Sequence, residues 1–175
     1  MIFVLAVCFC AIASAAATQL SPKDITPMVS VSERLAVIKR THTTETQLQC
    51  HSALKLKEEQ ADKYKYNLRA RKTTFVEYEY ISDDVLITLE KIPGTETKRS
   101  TYTAGNTKTT LTLVHLSQGN KCFVVSVDKN STFKGCELIT PASNVENIPS
   151  DCETFFNTNC KGKTVQLYQP DCNYK

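Results

Sequence analysis

The sequence predicts an all-β protein, built as a closed up-and-down antiparallel barrel with one C-terminal helix packed on its outside. Short runs of β-branched and aromatic residues, separated by turn residues, recur between positions 34 and 140. Eight or nine sequential strands can hide their unpaired edges by closing into a barrel. A β-sandwich is the alternative that the same pattern allows. A barrel of about eight strands is wide enough to hold one small ligand.

The alternation of side chains within the strands predicts which residues face the barrel interior. In residues 63–70 the aromatic side chains alternate with lysine, asparagine and arginine, so we expect the aromatic rings to point inward. Residues 74–81 and 121–128 alternate in the same way, with Val76 among the inward set of the first of these runs. The predicted pocket wall consists of Tyr64, Tyr66, Tyr78, Tyr80 and Phe123.

Charged residues near the predicted pocket leave two ligand chemistries open. With the opposite register in residues 74–81, Phe75, Glu77 and Glu79 would face inward and form an acidic site for an amine. Lys39 and Arg40 follow an apolar run, so either one could point into the barrel and hold the carboxylate of a fatty acid or an eicosanoid. A buried acid would support an amine ligand, whereas a buried cation would support a lipid ligand.

The helix is predicted to begin near Ser150 and to end before Gly162. Pro149 suits the first turn, and Ser150 and Glu153 have the spacing of a capping box. Two sulfur atoms and two aromatic rings fall along one side of this helix, so we expect that side to be attached to the sheet. These residues are Cys152, Phe155, Phe156 and Cys160.

The first residues indicate a secreted, extracellular protein. An apolar run followed by small residues at positions 1–17 predicts a signal peptide, which leaves residues 18–175 as a single domain. Its removal takes away Cys8 and Cys10 and leaves six of the eight cysteines, an even number that predicts three disulfides in an oxidising compartment. The pairing stays open at this point. Asn130 begins an Asn-Ser-Thr glycosylation acceptor, which predicts a surface loop.

Several functional classes are disfavoured by the sequence. The net charge of +3 is spread along the chain, so no basic block predicts a nucleic-acid site. The three histidines are scattered and no C-x-x-C pair is present, so we expect neither a metal nor a cofactor. No nucleophile motif or phosphate loop predicts an enzyme. Residues 18–175 contain no segment apolar enough to cross a membrane, and we expect a monomeric binding protein.

Several motifs carry a resemblance to a known family: K-C-F-V-V, C-E-L, P-S-D-C-E-T-F-F-N-T-N-C and Y-Q-P-D-C, together with R-L-A-V-I-K-R-T-H and Q-L-Q-C-H-S-A-L-K-L. The chain resembles the tick salivary lipocalins, the group that contains the histamine-binding proteins, over nearly all of residues 18–175. The resemblance implies a lipocalin barrel without catalytic activity. It also implies the disulfides Cys50–Cys172 and Cys122–Cys152, with Cys136 and Cys160 forming the third.

The resemblance further implies a ligand and a site. Amine-binding members carry C-D-[VIL] followed by E-L-[WY], whereas this chain has Phe123 and Ile139 at the Asp and aromatic positions and keeps only Glu137. We therefore expect Glu137, Phe123 and Ile139 to contact the ligand. The implied function is sequestration of a small host inflammatory mediator, foremost a biogenic amine such as histamine or serotonin, to suppress host defence. The alternatives are an eicosanoid or fatty acid, such as a leukotriene or thromboxane, or a host protein of complement or haemostasis.

Overall fold

The protein is a closed antiparallel barrel with one helix packed against its outer surface, as predicted. The computed structural model describes residues 20–73 and 78–175, so the predicted signal peptide and the residues Phe75, Val76 and Glu77 lie outside the described part. Each barrel strand pairs with the next, and β1 pairs with both β8 and β2 to close the ring. The strands are β1 (Leu35–Arg40), β2 (Leu48–Gln60), β3 (Lys63–Thr73), β4 (Tyr78–Lys91), β5 (Lys98–Ala104), β6 (Thr107–Leu116), β7 (Phe123–Lys129), β8 (Thr132–Pro141) and the short β9 (Val165–Gln166).

The run predicted at 74–81 does not end at Ile81, because the described part of it continues to Lys91 as one strand, β4. The polar residues Ser82, Asp83 and Asp84 do not form a turn, because they pair with β3 without a register shift. Asp84 accepts hydrogen bonds on the outer face from Asn67 Nδ2 at 2.9 Å, and its other oxygen lies 3.0 Å from Lys65 Nζ. The odd-numbered residues of β4 therefore face the interior, which reverses the faces predicted for Tyr78 and Tyr80.

A short helix closes one end of the barrel. This helix, α1 (Thr26–Val29), begins at a proline-containing first turn and buries Met28 and Val29 against the apolar interior. Lys55 Nζ donates to the carbonyl oxygen of Val29 at 2.8 Å and fixes the end of the helix. Beyond it, the side chains of Leu113 and Phe123 are completely buried.

The second helix, α2 (Ser150–Asn159), lies on the outer surface of β6, β7 and β8. Its residues Cys152 and Phe156 are buried in a cluster with Ile38, Val124 and Leu138. The predicted capping box is not formed, because Pro149 is the N-cap residue and no side chain caps the helix. Glu153 is instead engaged by Lys39, whose Nζ lies 2.5 Å from its carboxylate.

Three disulfides hold the helix and the chain end to the barrel, with the pairing that the family resemblance implied. Two of them, Cys122–Cys152 and Cys136–Cys160, attach the two ends of α2 to the strands. The third, Cys50–Cys172, joins β2 to the C-terminal segment. No helix in the described ranges is long and apolar enough to span a bilayer.

The C-terminal segment crosses the outer face of β3. The guanidinium of Arg71 lies 2.9 Å from the carboxylate of Asp171, and Arg69 donates to backbone carbonyl oxygens of Asn173 and Lys175. This segment leaves Arg71 only 4% exposed although it points away from the barrel interior.

Candidate functional site

The barrel encloses a cavity of about 440 Å³, a size typical of small-molecule sites. The wall towards α1 is apolar, and the wall formed by the opposite strand ends is polar. Arg40 and Glu137 are cross-strand partners at that end, and Thr109 pairs with Tyr102 on one side and Lys129 on the other. The apolar wall includes Met28, Val29, Leu35, Val37, Tyr66, Ile87, Leu111, Val127 and Ile139, and the polar wall includes Arg40, His42, His51, Tyr102, Thr109, Lys129 and Glu137.

Glu137 lines the cavity and already has a partner within the protein. The Nε2 atom of His42 lies 2.9 Å from Oε1 of Glu137. The His42 side chain is only 3% exposed, and the Glu137 side chain is 14% exposed. Burial opposes ionisation of Glu137, but the hydrogen bond from His42 and the charges of His42 and Arg40 outweigh it and hold the pKa of the carboxyl below its usual value. Glu137 is therefore a carboxylate at neutral pH.

Arg40 is a buried cation with spare hydrogen-bonding capacity. It is 6% exposed, and its Nη2 donates to the carbonyl oxygen of Thr43 at 3.0 Å. Within residues 20–73 and 78–175, its Nε has no partner and no carboxylate lies within 4.0 Å of the guanidinium. Burial lowers the pKa of Arg40 while the charge of Glu137 acts in the opposite direction. An arginine side chain stays protonated in proteins, so the cavity contains a cation that lacks a directly paired anion.

A β-bulge explains why Arg40 rather than Lys39 faces the cavity. The register of β1 against β8 shifts between Val37 and Lys39, which inserts Ile38 as an extra residue. Val37 and Arg40 therefore line the cavity, whereas Lys39 points outward. The Nζ atom of Lys39 binds Glu153 of α2 and lies 5.1 Å from the ring centre of Phe156.

Three further polar groups complete the polar wall. Burial and the charge of Arg40 lower the pKa of His51 to about 4, so this imidazole is neutral at neutral pH. Burial and the charge of Glu137 raise the pKa of Tyr102 to about 12, so the phenol keeps its proton. Lys129 Nζ donates to Thr43 Oγ1 at 3.0 Å, and burial lowers its pKa. The wall thus combines cations and neutral donors around the carboxylate of Glu137, and a second carboxylate, that of Asp83, lines the cavity from β4.

Three of the predicted ligand contacts line the cavity, and four do not. Glu137, Tyr66 and Ile139 contribute to its wall. Phe123 is completely buried in the apolar core, and Tyr64 is a half-buried residue packed against that core. Neither is part of the cavity wall.

Tyr78 and Tyr80 lie on the outer face of the barrel, so the prediction that they face the interior is wrong. In β4 the inward residues are Val85, Ile87 and Leu89, which places the even-numbered positions outside. The centre of the Tyr78 ring lies 4.1 Å from Arg71 Cζ, and the centre of the Tyr80 ring lies 4.6 Å from Arg69 Cζ. Tyr78 is 60% exposed and Glu79 is also exposed, while Phe75 and Glu77 fall outside the described residues.

A group with metal-like spacing lies at the start of α2, outside the cavity. His115 Nε2 is 2.9 Å from a carboxylate oxygen of Asp151, and Cys152 is nearby. The sulfur of Cys152 is bonded to Cys122, so it is not a thiolate ligand. The ring of His115 stacks on Phe155 with 4.6 Å between ring centres, which makes this cluster a contact between helix and barrel.

Comparison with known proteins identifies the family of this chain. The sequence model described as tick histamine binding protein matches residues 14–174. The fold is similar to that of Japanin from Rhipicephalus appendiculatus, with a TM-score of 0.59 and 16% identity over 81% of this chain and 96% of that chain. None of the curated proteins compared with the sequence matches it. Because the family match extends over nearly the whole chain, the protein belongs to the tick histamine-binding protein family, whose members bind ligands.

Proposed function

We propose that this protein is a secreted salivary lipocalin that sequesters a small host mediator in its cavity, and that the mediator is an apolar molecule with an acidic head group. Fatty acids and eicosanoids have this chemistry. The observation that carries the proposal is the buried guanidinium of Arg40, which has no directly paired carboxylate in the described residues and lies in the polar wall of the cavity, opposite the apolar wall near α1.

The cavity suits the two parts of such a ligand. The aliphatic tail would lie against the apolar wall near Met28 and Ile139, where burial of each methylene group contributes about 0.8 kcal/mol. The carboxylate would accept hydrogen bonds from Arg40, whose planar guanidinium matches two carboxylate oxygens. Tyr102 supplies a further protonated donor group in the same polar wall. A buried cation is favoured when an anion accompanies it, so the ligand would stabilise Arg40 as well.

A biogenic amine is the second candidate, because Glu137 lines the cavity as a carboxylate. Its charge is nevertheless engaged by His42 at 2.9 Å and lies in the field of Arg40. An ammonium group needs a free carboxylate or an aromatic face to leave water. The rings of Tyr66 and Tyr102 line the cavity, but the cations Arg40 and Lys129 line it as well and would repel an ammonium group. Phe123, which stands at the Asp position of the amine signature, is enclosed in the core and offers neither to the cavity. We therefore place the amine second.

Other features support an extracellular role as a carrier without enzymatic activity. The predicted signal peptide and the three disulfides suit an oxidising compartment. Asn130 is exposed in the turn between β7 and β8, where a glycan could be attached. Japanin was solved bound to cholesterol, an apolar molecule with one polar end. A host protein as the main partner would not require the open cavity.

Native mass spectrometry of the secreted protein tests the proposal. The protein would be incubated with equal concentrations of a fatty acid, a leukotriene, histamine and serotonin. We expect complexes with the two acids. Complexes with the amines alone would favour the second candidate, and the absence of every complex would contradict a role as a carrier of these mediators.

A further inference from the structure

Hydrogen-bonded segments border both ends of the cavity. At the apolar end, α1 covers the interior and is held by Lys55. At the polar end, the segment after β1 is also held in place, because Thr41 exchanges two hydrogen bonds with the backbone of Cys136 in β8, and Thr41 and His42 are 9% and 5% exposed. The next residue, Thr43, accepts hydrogen bonds from Arg40 and Lys129. A ligand that displaced α1 or the segment after β1 would have to break these contacts.

The side of the barrel between β4 and β5 is different, because these two strands pair over only part of their length. Four residue pairs join them, from Thr88 with Thr101 to Lys91 with Lys98. The same register would place Leu86 opposite Thr103, but the pairing has ended there. Within the part of the chain that the structure describes, β4 pairs with β3 alone from Tyr78 to Ile87. The two strands therefore separate towards the polar end of the barrel.

The exposed part of the cavity wall lies at this separation. Among the described residues that line the cavity, Ile81, Ser82 and Asp83 are exposed, and every other one is buried or half-buried. All three belong to the unpaired edge of β4. Across the separation the wall is formed by Ala104 and Thr107, whose side chains are small. The cavity thus meets solvent along the edge of β4.

We infer that the gap between β4 and β5 is the entrance through which the ligand reaches the cavity. This lateral route leaves the bonds of Thr43 and Lys55 intact, so uptake does not require opening of either barrel end. Ile81 and Asp83 would border the entrance from β4, since odd-numbered residues of this strand face inward. The inference rests on the proposed function in that an entrance has a role only in a protein that takes up a ligand.

The first test needs no ligand and uses a thiol placed inside the cavity. Val37 is a half-buried cavity residue on β1, and Val37→Cys would react with iodoacetamide that enters the barrel. Adding Asp83→Trp places a large ring at the entrance and should slow the reaction at least about tenfold. The neighbouring substitution Asp84→Trp, on the outer face, is the matched control and should leave the rate unchanged. Retention of the three disulfides and of the β-sheet circular dichroism signal would verify folding.

Ile81→Trp repeats the test from the other exposed inward position, so the result does not depend on one variant. An unchanged thiol reaction rate in the correctly folded entrance variant would overturn the inference. If Asp83→Trp does not fold, Ile81→Trp decides in the same way.

Stopped-flow binding of a fluorescent polyene fatty acid separates this inference from the proposed function. A narrowed entrance should slow association and dissociation by the same factor and leave the Kd unchanged, because the bound state is not altered. If the wild-type protein does not bind the fatty acid, the proposed ligand class is contradicted, while the thiol reaction still decides the position of the entrance.

Discussion

The imidazole of His42 and the carboxylate of Glu137 form a contact of 2.9 Å between residues 95 positions apart in the sequence. Removing the imidazole with His42→Ala leaves burial as the dominant influence on Glu137. We expect the pKa of Glu137 to rise, since burial disfavours the charged form. An NMR titration of the Glu137 carboxyl carbon measures this, and an unchanged pKa would show that His42 does not support the charge.

The same carboxyl makes stability depend on pH in the acidic range. A pKa held below the ordinary value of 4.5 means that the folded protein binds fewer protons than the unfolded chain near that pH. The contribution of Glu137 is thus present above about pH 4.5 and is lost as pH falls through the folded-state pKa. As the pH is lowered, the midpoint temperature of thermal unfolding should therefore fall less steeply in Glu137→Gln than in the wild type. Identical slopes in the two proteins would contradict this.

The lowered pKa of His51 predicts a second pH dependence of stability, at pH values closer to neutrality. Its pKa is lowered from 6.5 to about 4, so between these values the unfolded chain binds a proton that the folded protein does not. Protonation of His51 in the unfolded chain therefore leaves the free energy of unfolding unchanged above pH 6.5. The free energy of unfolding then decreases as the pH falls towards 4, by about 3 kcal/mol at most. Denaturant unfolding of the wild type and His51→Gln across this range would reveal the difference. Parallel pH dependence in the two proteins would rule out His51 as the source.

The disulfide between Cys50 and Cys172 should contribute more to stability than the one between Cys136 and Cys160. The first joins residues 122 positions apart and the second joins residues 24 apart, so the first removes more freedom from the unfolded chain. Replacing each pair by serine should lower the free energy of unfolding by about 2 to 5 kcal/mol, with the larger loss for Cys50 and Cys172. Guanidinium unfolding measures both values. The reverse order would indicate that native contacts, rather than chain entropy, dominate.

Glu137→Gln separates the two candidate ligand classes. If an amine binds through this carboxylate, the substitution should weaken histamine binding about tenfold, or about 1.4 kcal/mol. We expect fatty-acid affinity to be maintained or increased, because a negative charge near the bound carboxylate is removed. Isothermal titration calorimetry with both ligands distinguishes these results. A loss of fatty-acid affinity would show that Glu137 supports the acid site in a way that its charge does not explain.

The helix, the barrel and the number of disulfides were predictable because each has a local signal. Pro149 and the apolar side of residues 150–160 mark the helix, and short alternating runs mark the strands. The pairing of the cysteines is not a local property and came from the family resemblance. β9 was missed because it has two residues and forms only through pairing with β1.

The polar wall of the cavity was less predictable, since its residues are brought together by irregular strands. Simple alternation places Lys39 on the same face as Val37, and only the bulge at Ile38 turns Arg40 inward. A second register shift, between Leu113 and His115, moves His115 to the outside. His42 meets Glu137 only in the folded barrel. The possibility that Lys39 or Arg40 holds a carboxylate was the sequence signal that pointed to this wall.

The measurement that tests the central claim most directly is calorimetric binding of arachidonic acid to the wild type, Arg40→Gln and Lys39→Gln. The two substitutions remove adjacent cations, of which one lines the cavity and the other binds α2. We predict that Arg40→Gln weakens binding at least about tenfold, whereas Lys39→Gln changes the affinity by less than about twofold. Equal affinities for the wild type and Arg40→Gln would contradict the assignment of Arg40 as the acid-binding residue.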